Sequence, residues 1–285
     1  MQRAPLTTTH PHGYVLATAD RRLGLLRISK NASTESKARL RCVDWIAFDK
    51  FTGPTVAFVR DPYARFMSSM PETVLRMTEL LEAEADRIDR VVVPEDIYKE
   101  LSSAAREPIE TFARIFLELV EYTFFDAHHE AQVSFMADRH MNLRINPFLY
   151  PTEDFDHAIG LIEIRFGVET EPPGARSNQG GAKPSRGRTP AIDLARRLTR
   201  TGVHRMIRHS GVLGLRFRGS SGPMTIGELN MLANRFADEL KSAVLDDTYK
   251  QRVLARYPWD FKLWSAVRAC GGDIPAHEVW DVLSD

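Results

Sequence analysis

The strongest constraint on the fold is an apolar run without alternation, Val56-Ala57-Phe58-Val59, which ends on Arg60 and passes straight into Asp61-Pro62. Such a run reads as a strand buried on both faces, the kind found at the centre of a parallel sheet. Pro62 then opens a helix, because its missing N–H belongs to the donors that a first turn leaves unused. Arg60 therefore stands at the carboxyl end of a strand, and Ser68 falls eight positions later, about two turns into the helix. A guanidinium fork suits a phosphate monoester, and a nearby hydroxyl completes such a site. In open α/β sheets ligands lie outside the carboxyl ends of strands, so this is where a ligand is expected.

A second junction of the same kind lies upstream. Residues 25–39 read as a short apolar strand, then Lys30-Asn31-Ala32-Ser33-Thr34, then a helix opening on Glu35 and Ser36. The free N–H groups of a helix start point at whatever sits above them. Lys30 adds a positive charge, and Ser33 and Thr34 add hydroxyl donors. The loop suits a phosphate or a phosphosulfate. A Ser or Thr ahead of an acidic residue is also an ordinary helix N-cap, and both readings stand. The glycines of a Walker A loop are absent.

Together the two junctions resemble the sulfotransferase superfamily, whose donor is 3′-phosphoadenosine 5′-phosphosulfate. Lys30 to Thr34 is similar to its 5′-phosphosulfate loop, with Ala32 where the family often carries Gly. The Arg-Asp-Pro-x-x-Arg-x-x-Ser stretch is similar to its 3′-phosphate motif, with Arg60, Arg65 and Ser68 in register. The form of this stretch resembles most the carbohydrate branch, sulfotransferase family 2. Three further stretches resemble that branch: Asp126-Ala127-His128-His129-Glu130-Ala131-Gln132, Phe148-Leu149-Tyr150-Pro151-Thr152-Glu153-Asp154-Phe155, and Tyr257-Pro258-Trp259-Asp260-Phe261-Lys262-Leu263-Trp264. His129 stands where the family often has Trp, and residues 171–190 have no counterpart.

The resemblance implies an α/β fold: a P-loop-like parallel sheet flanked by helices on both faces, in one domain over 1–285 with a helix-rich C-terminal portion from 191. It implies sulfuryl transfer to a hydroxyl acceptor, a carbohydrate or glycolipid. Lys30, Asn31, Ala32, Ser33, Thr34, Glu35, Arg60 and Ser68 would contact the donor, with Lys30 meeting the bridging oxygen as charge grows there. His128 is the first choice for the general base, oriented by Asp126, with His129, Glu130 and Asp49 as rivals. His129, Gln132 and Glu153 are candidate acceptor contacts, and Glu153 reads equally as an ion-pair former. Arg65 reads first as a structural salt-bridge former, and Tyr257 and Asp260 as fold-closing contacts. None of these tasks calls for a metal. Two other readings remain: a non-catalytic nucleotide-binding module of the same fold, and a small-molecule kinase, weakened by the missing Walker glycines and the lack of an evident magnesium pair.

Bulk properties narrow the partners. Lys plus Arg equals Asp plus Glu at 38 each, so no overall positive charge argues for nucleic acid. Anion binding must come from local placement. Cys42 and Cys270 stand apart and outside any metal-ligand spacing, which favours reduced thiols. No apolar run approaches the ~18 residues that span a bilayer, and the N-terminus lacks a signal peptide's apolar core. A cytoplasmic enzyme is expected, and nothing in the sequence points to an oligomeric state.

The remaining pattern predicts an edge strand at 14–17, a core strand at 23–28 and a helix over 36–48. A long helix over 62–85 packs Phe66, Met70, Val74, Met77 and Leu81. Residues 91–93 are too short to assign. A helix over 108–125 carries the stripe Ile109, Phe112, Ile115, Phe116, Leu119 and Val120. A strand at 146–150 and a helix over 156–166 follow, the latter ending at Gly167. Residues 171–190, rich in Pro, Gly, Ser and Arg, read as a flexible loop or linker. Helices are expected over 192–207 and over 225–245, the second opened by a Thr225–Glu228 capping box.

Overall fold

Thr55–Val59 forms a strand, β4, buried along its whole length. The other strands of its sheet are β1 (Tyr14–Thr18), β2 (Gly24–Leu26), β3 (Cys42–Ala47), β5 (Phe148–Pro151) and β8 (Ile274–Pro275). The computed structural model describes residues 13–81, 95–122, 127–173 and 207–284. These gather into two compact units, one of 13–69, 127–173 and 246–284, the other of 70–81, 95–122 and 207–245.

The first unit holds the six-stranded sheet, in the order β3-β1-β2-β4-β5-β8. Only the pairs β2–β4 and β4–β5 run parallel. β1, β3 and β8 join antiparallel, so the sheet is mixed and not parallel throughout. Alternate residues of β4 face two cores. Val56 and Phe58 pack with Leu16, Leu25 and Tyr150 under Ala158, Ile159 and Ile162 of α5 (Phe155–Phe166). Ala57 and Val59 pack with Leu26 and Leu149 under Leu263 and Val267 of α9 (Pro258–Ala269) and Val279, Trp280 and Leu283 of α10 (Ala276–Ser284). Helices thus cover both faces, which is why β4 has no polar face to alternate. Each Val, Leu, Ile or Phe among them contributes about 1.5–3 kcal/mol by leaving water.

Two expectations for the N-terminal third are corrected. β1 is an interior strand, hydrogen-bonded to both β2 and β3; the edge strands are β3 and β8. Residues 36–48 do not form one helix. α1 (Ser33–Arg39) starts earlier than expected and stops after one and a half to two turns, and Arg41 turns left-handed at φ 53°. The chain then enters β3, where Trp45 lies opposite Leu16. β-branched and aromatic residues at Val43, Trp45 and Ile46 suit that pleated surface better than a helix. The helix over 156–166 ends on Gly167 at φ 60°, as its sequence indicated.

α2 (Pro62–Leu81) begins in the first unit and contains Pro71; the division between units falls just before that proline. The second unit adds α3 (Glu95–Ala104), α4 (Ile109–Tyr122), α6 (Gly211–Arg218), α7 (Ile226–Ser242) and a two-stranded ribbon of β6 (Ile207–His209) and β7 (Pro223–Thr225). Phe112, Phe116 and Val120 of the α4 stripe are buried with Ala113 and Leu117, while Ile109, Ile115 and Leu119 are half-buried. Phe112 meets Phe236 edge-on at 5.2 Å. Thr225 and Glu228 form the capping box read from the sequence. α8 (Asp247–Arg256) returns to the first unit, capped by Asp246. Asp126, the stretch 91–93, the helix ends at 82–85 and 123–125, the linker beyond residue 173 and the helix over 192–206 lie outside the described residues.

Candidate functional site

β2 and β4 are parallel neighbours with Leu26 opposite Ala57, so their carboxyl ends open on the same edge of the sheet. The two polar junctions of the sequence follow from those ends, and both belong to the first unit.

After β4 the chain needs only Arg60 and Asp61 to reach α2. The Asp61 carboxylate accepts from the N–H groups of Tyr63 (2.7 Å) and Ala64 (3.1 Å) and so caps the helix. The N–H of Asp61 donates to Glu153 Oε1 at 3.1 Å, and that same oxygen accepts from Trp264 Nε1 at 3.1 Å. Gln132 reads the backbone of Arg60 from both sides: its Oε1 accepts from the Arg60 N–H at 3.0 Å, and its Nε2 donates to the Arg60 carbonyl at 2.9 Å.

After β2 the chain runs through residues 27–32 before α1. Lys30 (φ 65°) and Ala32 (φ 52°) are both left-handed, a conformation that glycine adopts without the cost a Cβ brings. Ala32 is the N-cap of α1 and offers no capping side chain. Ser33 and Thr34 lie inside the first turn, so the ordinary Ser/Thr cap is not what this sequence builds here. Asn31 is buried; its Nδ2 donates to the Phe58 carbonyl at 2.7 Å and to Gln132 Oε1.

The junctions meet at Arg60. Its Nη1 donates to Ser68 Oγ at 2.9 Å and to the carbonyl of Lys30 at 3.1 Å. Arg60 and Ser68, eight residues apart, are thus one cluster, and that cluster touches the Lys30 loop. Burial holds the Arg60 guanidinium below the usual arginine range, and the Glu153 carboxylate works against that shift. The group stays charged, since an arginine does not give up its proton in a protein.

Beneath this cluster lies a second arginine. Arg65 is buried and donates from Nε to the Ser29 carbonyl (2.9 Å) and from Nη1 to the Glu130 carbonyl (2.6 Å). Burial lowers its pKa, and the Asp260 carboxylate offsets part of that effect. Asp260 is itself fully buried and accepts from the N–H groups of Gln132 (2.8 Å) and Val133 (3.1 Å). Burial pushes its carboxyl upward; Arg65 and the two N–H groups pull it back. Tyr257 donates from its hydroxyl to the His129 carbonyl at 2.7 Å. Arg65 forms no salt bridge among the described residues, contrary to its sequence reading, because backbone carbonyls take up its donors instead; Tyr257 and Asp260 bond the backbone of the segment at 127–133.

The base and acceptor candidates are placed as follows. His128 and His129 sit on a single 3-10 turn, Ala127–His129, with only 4% and 3% of their surface exposed. Ser69 donates to the His128 carbonyl at 3.0 Å, and the His129 ring meets Phe66 edge-on at 5.1 Å. Neither histidine stands on the open surface. Glu130 accepts from the Ser134 hydroxyl at 2.8 Å, and Asp49 is exposed on the 3-10 turn Phe48–Lys50 that follows β3. Gln132 is fully buried, with its amide bonded to Asn31 and Arg60. Glu153 is exposed. Sequence reading did not anticipate the Asn31–Gln132 link or the Trp264–Glu153 bond. Both depend on partners more than 100 residues away, at 101 and 111 positions.

Compared with protein-family models, curated proteins and solved structures, the chain matches none. Among the described residues no group of three or more His, Cys, Asp or Glu is arranged to hold a metal ion, and no helix is long and apolar enough to cross a membrane. A shallow groove along α7, between Met231, Asn234, Arg235, Asp238, Glu239 and Ser242, belongs to the second unit and contains none of the residues discussed above.

Proposed function

We propose that this chain is a cytoplasmic sulfotransferase that moves a sulfuryl group from 3′-phosphoadenosine 5′-phosphosulfate to a hydroxyl of a carbohydrate or glycolipid. The observation that carries the reading is the position of one nitrogen: Arg60 Nη1 bonds both Ser68, its motif partner, and the carbonyl of Lys30, the centre of the other motif. Two sequence signals with separate duties on one doubly charged nucleotide lie in one hydrogen-bonded cluster at adjacent strand ends. The β2–loop–α1 and β4–α2 junctions on parallel strands also suit a P-loop-like frame.

In this reading Arg60 and Ser68 hold the 3′-phosphate by charge-assisted bonds. Lys30 and the start of α1, with Asn31, Ala32, Ser33, Thr34 and Glu35, surround the 5′-phosphosulfate. The acceptor oxygen attacks sulfur as the bond from sulfur to the 5′-phosphate oxygen breaks. Lys30 neutralises the charge that appears on that oxygen, and the acceptor's proton passes to a base, His128 in first place. The products are a sulfate ester and adenosine 3′,5′-bisphosphate.

A second reading, a nucleotide-binding module without catalysis, draws support from the burial of His128 and His129. Calorimetry and turnover separate the two. Binding of adenosine 3′,5′-bisphosphate that depends on the 3′-phosphate, together with transfer of labelled sulfate to a sugar or glycolipid panel, supports the enzyme. Binding without transfer supports the module. Indifference to the 3′-phosphate defeats both. In the enzyme, His128→Ala is expected to flatten the acidic limb of the rate profile, and an unaltered limb removes His128 as base.

A further inference from the structure

We infer that Gln132 is the positioning residue that sets the distance between the two phosphate-binding junctions and so makes them act as one bisphosphate site; this rests on the donor-binding reading above. Gln132 contacts neither proposed phosphate position. Its carboxamide instead touches both junctions. Oε1 accepts from Asn31 Nδ2 in the Lys30 loop and from the N–H of Arg60 at 3.0 Å, and Nε2 donates to the Arg60 carbonyl at 2.9 Å. Asn31 extends the same link to the Phe58 carbonyl of β4 at 2.7 Å. One planar amide therefore fixes the residue that leads into Ser33 and Thr34 against the residue that carries the guanidinium.

The amide itself has little freedom. Gln132 and Asn31 are buried, at 0% and 1% exposure. The backbone N–H of Gln132 is held by Asp260 at 2.8 Å, and its neighbour Val133 by the same carboxylate at 3.1 Å. A buried side chain whose bonds are all directed has one geometry, and leaving any of those groups unpaired is costly. Gln132 transmits the rigid placement of α9 to the spacing of the two junctions.

The consequence is a chelate effect. Two anchoring points at a fixed span bind a ligand that matches the span far more tightly than either point binds half of it. Loosening the span leaves each half-site intact and removes only the advantage of joining them. A defect in folding would instead weaken every ligand.

The test is calorimetric titration of the full chain with adenosine 3′,5′-bisphosphate, adenosine 5′-monophosphate and adenosine 3′-monophosphate. The unaltered chain is expected to prefer the bisphosphate over either monophosphate by about a hundredfold or more. Gln132→Met, which keeps the length and removes the amide, is expected to lose about tenfold or more of bisphosphate affinity, with both monophosphates within about threefold of their starting values. Gln132→Glu, which removes the donor to the Arg60 carbonyl, carries the same test if Gln132→Met does not fold. An unchanged bisphosphate preference in Gln132→Met, or an equal loss for all three ligands, overturns the inference and leaves the donor site standing. An unaltered chain with no bisphosphate preference overturns the donor reading, and the inference with it.

Discussion

The turn after β4 and the turn after β2 have the same task, to carry the chain from a parallel strand into a helix, and they are held in opposite ways. The first takes two residues. Distant side chains grip it: Gln132 on both polar groups of Arg60, Glu153 on the N–H of Asp61, and Asp61 on the first turn of α2. The second runs over residues 27–32 and contains two left-handed residues that are not glycine, Lys30 and Ala32. Each such residue costs about 1–2 kcal/mol. Ser29 Oγ and Asn31 Oδ1 are buried there without a hydrogen-bond partner among the described residues. The β4 turn shows neither left-handed backbone nor an unpaired buried side-chain atom, whereas the β2 turn holds both, although Arg60, Arg65 and Gln132 grip it too. In the proposed donor site this contrast would give Arg60 the gripping role and Lys30 the responding one.

The largest effect is expected at the foundation both turns share. Asp260→Ala strips the acceptor from the N–H groups of Gln132 and Val133 and a nearby negative charge from Arg65, and should cost about 2–4 kcal/mol in urea unfolding. A loss under about 1 kcal/mol would show that the two turns do not depend on this buried carboxylate. At the β2 turn, Lys30→Ala is expected to lower turnover by about a hundredfold to a thousandfold while bisphosphate affinity changes by less than about threefold. At the β4 turn, Arg60→Ala is expected to do the reverse, weakening bisphosphate binding by about 1.5–3 kcal/mol. Equal effects of the two variants on binding would erase the distinction between gripping and responding residues.

Cys42 opens β3, soon after α1, and reports on that side of the unit. Burial pushes its thiol up to about 12 from an ordinary 9.0. The unfolded thiol ionises first, so unfolding releases a proton. Stability is then whole below about pH 9 and falls by about 1.4 kcal/mol per pH unit as pH rises toward 12. Cys42→Ala should flatten that alkaline limb in denaturation curves taken at pH 8 to 11, whatever it costs at neutral pH; the same slope in both proteins would mean another group titrates. The smallest effect is at Ala32. Ala32→Gly removes left-handed strain of about 1–2 kcal/mol and adds about 0.5–1 kcal/mol of backbone entropy, for a net gain near ~0.5 kcal/mol in thermal unfolding. A loss of stability would show that the β2 turn is not strained at that residue.

What could be read from the sequence follows the range of the forces involved. The bounds of β4, the start of α2, the glycine stop after α5 and the Thr225–Glu228 box rest on neighbours in sequence, and they appear where expected. β3 was missed because six residues with three large apolar side chains fit a helical stripe as readily as a strand; its pairing with β1 decides the matter. β1 looked like an edge because a strand's place in a sheet is set by partners, not by its own residues. In the site, Arg60 and Ser68 announced each other through helical spacing. Gln132 did not announce its duty, since the Arg60 backbone it grips is 72 residues away, and a glutamine in a polar stretch reads equally as a surface residue.

The carbonyl oxygens of Ser29 and Lys30 are both taken up by guanidinium groups, those of Arg65 and Arg60. A hydrated magnesium ion seeks oxygen ligands of that kind, and here it would meet two positive charges behind them. If a nucleotide binds over Lys30 as proposed, neither of these carbonyls is free to take part in holding a magnesium ion that travels with it.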